Sequence, residues 1–136
     1  MSDEIINRLN ENALPFSDYL GVVYTEVTKE LVRAELEVRP ELCTRPEILH
    51  GGAVMSLADN LGGVGTMLNL PGGAFTTTLE SKTNFISSIP MGQKAIAECT
   101  PIHRGRTTMV WQTKISREDG KLAAIVTQTQ MVMKSD

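Results

Sequence analysis

The chain has 136 residues, with 13 Lys+Arg, 16 Asp+Glu and a formal net charge of -3. That is the length of one domain, able to bury roughly two thirds of its unfolded surface. With 41% hydrophobic and 21% charged residues, the composition is that of a globular protein and excludes wholesale disorder. The mild acidity argues against a general nucleic-acid binder, which needs a dense basic face.

Cys43 and Cys99 are the only cysteines, and His50 and His103 the only histidines. They supply neither a disulfide framework nor a usual zinc set, so no metal and no cofactor is expected. The polar opening residues carry no secretory pattern, and no stretch nears ~18 uninterrupted apolar residues. The expectation is a cytoplasmic protein with no membrane partner.

Along the chain, Ile5, Ile6 and Leu9 at helical spacing predict a short amphipathic helix over about 3–12, stopped before Pro15. The period then becomes two. Val32, Ala34, Leu36 and Val38 alternate with Arg33, Glu35, Glu37 and Arg39, the pattern of a half-buried strand. Gly21 to Thr28 is expected to pair with it, and Pro40 and Pro46 bracket a loop.

From Gly51 to about Asn69, Val54, Leu57, Ala58, Leu61, Val64 and Leu68 form the stripe of a helix roughly 27 Å long. Asp59 is the only ionisable side chain between His50 and Glu80, so this helix should be buried over most of its surface. Pro71-Gly72-Gly73 ends it. Strand character returns over Phe75–Ile89, Gln93–His103, Arg106–Arg117 and Lys121–Met133, with a hairpin at Glu118-Asp119-Gly120. The expected fold is α+β: a curved antiparallel sheet of five or six strands wrapped around one long central helix, a second copy covering what stays open.

Two features of the helix carry chemistry. Gly51 and Gly52 sit where it begins, and a helix N-terminus offers unpaired N–H groups and partial positive charge. Glycine lets another group approach that backbone, which suits a carbonyl oxygen becoming an oxyanion. A tight turn into the helix explains the same residues. Asp59 lies on a face with Met55, Gly62 and Thr66, consistent with close approach of another chain or a ligand, or with a solvated edge. Eight residues separate Gly51 from Asp59, about 12 Å along one helix. If both act on one carbon, a neighbouring subunit must supply one of them.

The ordered set His50-Gly51-Gly52, Leu57-Ala58-Asp59, Gly62-Gly63, Thr76-Thr77-Thr78-Leu79-Glu80, Pro90-Met91-Gly92, Gly105-Arg106-Thr107 and Asp119-Gly120-Lys121-Leu122-Ala123 resembles the hotdog-fold acyl-CoA thioesterases of the phenylacetate-degradation type. The resemblance runs over about residues 18–133. It implies hydrolysis of acyl-CoA by a homo-oligomer, a dimer of dimers. Gly51 N–H would polarise the thioester carbonyl, and Asp59 of the neighbouring subunit would be general base or nucleophile. Thr78 would orient water or leaving group, and His50 with Gly52 would position the thioester. His103-Arg104-Gly105-Arg106 is the candidate for the CoA phosphates, with Lys82 a weaker one. The family's Asn-x-x-Gly before the His is here Thr44-Arg45-Pro46-Glu47, which leaves Thr44 as a donor and changes the pocket mouth. A hydratase or dehydratase on acyl thioesters and a non-catalytic acyl-CoA binding module are the alternatives. Trp111, Met131 and Met133 are expected in the core or an interface, and both cysteines are expected to be inert.

Overall fold

The long uncharged segment forms the helix its periodicity requires. A computed structural model describes residues 2–134; residues 1, 135 and 136 of the expected single domain lie outside the described residues. Helix α3 runs Gly51–Asn69 and buries Ala53, Val54, Leu57, Ala58, Leu61, Gly62, Gly65 and Thr66. Val64 and Leu68, expected on the core stripe, are only half-buried. Before it come α1 (Ser2–Glu11) and α2 (Pro15–Leu20). The six-residue α2 is too short to show a period. Pro15 pre-sets its first turn, and Gly21 closes it at φ 84, where its N–H reaches Ser17 O and Asp18 O. Ser17 then hydrogen-bonds Asn60, tying α2 to α3.

The strands are β1 (Val23–Val27), β2 (Val32–Glu37), β3 (Cys43–Thr44), β4 (Ile48–Leu49), β5 (Ala74–Phe85), β6 (Lys94–Arg104), β7 (Thr108–Ser116) and β8 (Leu122–Lys134). Six of them make an antiparallel sheet in the order β1-β2-β6-β7-β8-β5, with α3 packed on one face. The expected α+β architecture is therefore present. The stretch between Pro40 and Pro46, expected as loop, instead holds a 3-10 turn at Pro40–Leu42 and the first half of the small β3–β4 ladder.

Glycines on α3 admit the molecule's own sheet. A Cβ on Gly62 would overlap the Gln128 amide, and one on Gly65 would lie 2.9–3.1 Å from three Trp111 ring carbons. The Gly62–Thr66 face, left open to another chain, a ligand or solvent by the sequence, is packed at Gly62 by β8 and at Gly65 by β7 of the same chain. Gly63 alone of these has open space around it. Trp111 is fully buried and cannot retreat. Gly65→Ala should therefore cost about 1–3 kcal/mol of stability, read by denaturant unfolding. An unchanged midpoint would contradict this packing.

Met131 is exposed and Met133 half-buried, both on the opposite sheet face from buried Gln128, Gln130 and Val132. They are not core residues. The alternation of β8 sets this, because from Ala124 onward its even-numbered positions look toward α3.

Strand β5 is an edge strand with one irregularity. Thr78 pairs with Gln130 and Glu80 with Thr129, so Leu79 is an extra, bulged residue. Before the bulge Thr76 and Thr78 share the face of Gln130 and Val132; after it Ser81 and Thr83 share the face of Gln128 and Val126.

Candidate active site

Three contacts strap the chain as it enters α3. Leu49 N–H donates to Ile89 O at 2.9 Å, His50 N–H to Leu42 O at 2.9 Å, and Met91 N–H to Glu47 O at 2.9 Å. Glu47 sits at φ 64, in the left-handed region, at the place where the family pattern has Gly. That conformation costs a residue with a Cβ about 1–2 kcal/mol, set against the greater chain entropy of glycine. Glu47→Gly should thus raise unfolding stability by up to about 1 kcal/mol. A clear loss of stability would refute the strain.

His50 is the N-cap of α3, and its Nδ1 accepts from Gly52 N–H at 2.8 Å. As an acceptor, Nδ1 carries no proton, so the exposed imidazole presents Nε2–H outward. This contact also engages the Gly52 N–H, which is therefore not the free donor of the pair. Among the described residues the Gly51 N–H has no acceptor.

Gly51 lines a groove of about 400 Å³ with Thr44, Ile48, Leu49, Val54, Phe85 and Ile86 among its walls. The lining is apolar apart from Thr44, Ser87 and Ser88, and holds no charged side chain. Phe85 stands against Gly51, whose hypothetical Cβ would be 3.2 Å from the ring. Arg45 and Glu47 line a neighbouring depression of about 620 Å³ that shares Thr44.

One helix turn after another from Gly51, Asp59 is exposed at the sheet side of α3. Its Oδ1 accepts from Thr78 Oγ1 at 2.7 Å and from Gln128 Nε2 at 3.1 Å. The structure thus brings Asp59 and Thr78 together, and His50, Gly51, Gly52 and Thr44 together. The two groups stay apart within one chain, about 12 Å along the helix axis. Gln128 and Gln130 were not visible as site residues in the sequence; no alternation marks which polar residues of β8 turn inward.

Arg104 lies at the far end of α3. Its Nη1 is 3.4 Å from Glu30 Oε1, Lys29 O and Asn69 Oδ1. Gly105 makes the β6–β7 turn, its N–H on Thr108 O at 2.9 Å, with His103 packed where a Cβ would go. Arg106 and Lys82 are exposed. None of these cations shares the Gly51 groove within the chain. The cysteines are free; burial pushes the Cys99 thiol up to about 11, against a small opposing pull from Thr113. Cys43 is raised too, by burial first and then by Glu47 and Glu41. Among the described residues no group of three or more His, Cys, Asp or Glu could hold a metal.

Residues 47–124, which contain Gly51, Asp59, Thr78 and all of the groove lining except Thr44, match the family model described as the thioesterase superfamily. The chain belongs to that superfamily. A Vibrio cholerae protein provisionally assigned as an esterase is 32% identical over 135 residues, 99% of this chain and 88% of its own. The proofreading thioesterase EntH of Klebsiella pneumoniae is 29% identical over 116 residues, 85% of this chain and 82% of that one. The crystal structure of a Haemophilus influenzae thioesterase superposes with a TM-score of 0.89 at 26% identity, covering 95% of this chain and 90% of that one. A provisionally assigned thioesterase of Streptococcus pneumoniae, solved with coenzyme A, gives a TM-score of 0.76 at 21% identity, covering 85% and 92%. The fold is the hotdog fold of these thioesterases, and the relatives carry the names of esterases or thioesterases. No helix among the described residues is long and apolar enough to cross a membrane.

Proposed function

We propose that this superfamily member hydrolyses acyl-CoA thioesters to the free acid and CoA, at sites shared between two copies of the chain. The observation that carries this reading is the free Gly51 N–H at an apolar groove, on one continuous helix with Asp59 but out of its reach. A sister molecule packed with its α3 antiparallel would bring its own Asp59 opposite Gly51. The surface suits such packing. Edge strand β5 is long and exposes Phe75, Leu79 and Phe85, while α3 exposes Met55 and Met67 and has open space at Gly63. An uncovered edge and face of this kind is normally protected by pairing.

In the proposed reaction the thioester carbonyl oxygen accepts from Gly51 N–H, helped by the positive end of α3. Asp59 of the sister chain takes a proton from water. The hydroxide adds to the carbonyl carbon, and the oxyanion gathers on Gly51. Its collapse breaks the C–S bond, and the proton returns from Asp59 to the departing sulfur. Thr78, donating to Asp59, and His50, presenting Nε2–H, position carboxylate and thioester. The uncharged groove favours an apolar acyl group. Direct attack of Asp59 on carbon is the alternative, forming an anhydride that water opens; label in Asp59 after single turnover in labelled water, or trapping of the acyl-Asp59 anhydride, would establish that route.

The Leu57-Ala58-Asp59 spacing supports the phenylacetate-degradation type within the superfamily. The chain donating Asp59 would also carry Arg104 and Arg106, the cations proposed for the CoA phosphates once Arg104 leaves Glu30. The S. pneumoniae neighbour supports CoA as a group this fold can hold. Apolar residues on the outer sheet face, Phe75 and Met131 among them, suit a second contact that makes a dimer of dimers. A panel of acyl-CoA esters with free-thiol detection tests the proposal. Tight binding without thiol release, or hydration of a 2-enoyl-CoA without it, would overturn it.

A further inference from the structure

Two glutamines are buried beneath the carboxylate. Gln128 is 1% exposed and Gln130 2%. Burying an amide costs free energy unless its hydrogen bonds are made, so such a pair needs a reason. Gln128 Nε2 donates to Asp59 Oδ1 at 3.1 Å and to Gln130 Oε1 at 3.0 Å. Gln130 Nε2 donates in turn to Thr76 Oγ1 at 3.1 Å. Gln128 Oε1 has no partner among the described residues. Both protons of the Gln128 amide are thus spent on acceptors, and turning the amide over would set its oxygen against two others.

The backbone is shaped to allow this. Gly62 has no side chain where the Gln128 amide crosses α3. The bulge at Leu79 follows directly on Thr78, which sits opposite Gln130. Thr78 Oγ1 is 2.7 Å from Asp59 Oδ1 and 2.6 Å from Gln130 Oε1. One hydroxyl carries one proton, so it donates to one of them at a time. With Asp59 ionised, Thr78 donates to the carboxylate. With the proton of water taken up on Oδ2, Oδ1 still accepts from Thr78 and from Gln128. The network therefore accommodates both protonation states that a general base passes through, without moving a heavy atom.

We propose that Gln128 is a positioning residue for Asp59: it pins Oδ1 from below, with Gln130 holding the Gln128 amide in register, so that Oδ2 is left for water. This rests on the role proposed above for Asp59. Two substitutions test it. Gln128→Met keeps length and removes the donor; Gln128→Leu removes it from a shorter apolar side chain. Each should lower kcat on acyl-CoA by about 10- to 100-fold, the value of a hydrogen bond to a charged group, with KM and oligomeric state unchanged. Added to Asp59→Asn, Gln128→Met should remove nothing further, because it acts through that carboxylate. Wild-type kcat in either folded variant overturns the inference, as does an independent loss on top of Asp59→Asn. Failure of both variants to fold would assign Gln128 to the core and overturn it equally. Unchanged turnover in Asp59→Asn alone would instead remove the underlying role of Asp59, and this inference with it.

Discussion

Asp59→Asn should lower kcat on acyl-CoA by about 10²- to 10⁴-fold, the usual worth of a general base, with KM changed little. Asparagine keeps the shape and can still accept from Thr78 Oγ1 and Gln128 Nε2 through its oxygen, so fold and oligomeric state should persist. What it loses is the capacity to take a proton from water or to attack carbon. Steady-state thiol release measures the effect. Activity within a few-fold of the parent would mean that another group moves the proton.

Gly51→Pro should be nearly as damaging, for a different reason. A backbone donor is removed by no ordinary side-chain change, but proline has no N–H. The first position of a helix tolerates proline, since its N–H is unpaired there. His50, at φ -62 and ψ 139, already has the extended conformation required of the residue before a proline. The expected loss is about 10²- to 10³-fold in kcat, as for other oxyanion donors. Gly51→Ala is the control. It sets the same Cβ 3.2 Å from the Phe85 ring while keeping the N–H, so most activity should remain. An equal loss in both variants would show that crowding by Phe85, and not the donor, is responsible.

Asp59→Asn and Gly51→Pro together also test the shared site. Within a mixed dimer, one site would unite an intact Gly51 with an intact Asp59, and the other would hold both lesions. Mixing two inactive proteins under exchange conditions should therefore restore about a quarter of parental activity, half the dimers being mixed with one good site of two. No recovery after demonstrated exchange would place the donor and the carboxylate in separate events.

Much of this arrangement is legible in the amino-acid order. Helix α3 follows from its stripe, and β2 from strict alternation. Gly120 at φ 89 and Asp119, whose carboxyl is held down to about 2 chiefly by Arg117, make the hairpin that the Glu118-Asp119-Gly120 signal predicts. Gly51 and Asp59 are visible as anomalies of type and place. The glutamines are not, because Thr127, Gln128, Thr129 and Gln130 are polar on both faces and conceal which side is buried. Glycines report that something comes close, without saying what; at Gly62 and Gly65 it is Gln128 and Trp111 of the same molecule. Helix α2 escapes notice because six residues make less than two turns.

The extra residue at Leu79 has a bearing on how relatives should be compared. It changes the parity of β5, so that even positions look inward up to 78 and odd ones from 81 onward. A homologue whose strand runs straight must present its hydroxyl at a different offset from the helix carboxylate. Counting residues from Asp59 would then align Thr78 with a side chain on the wrong face. A survey based on offsets alone would record a lost site where the same chemistry had only shifted by one position.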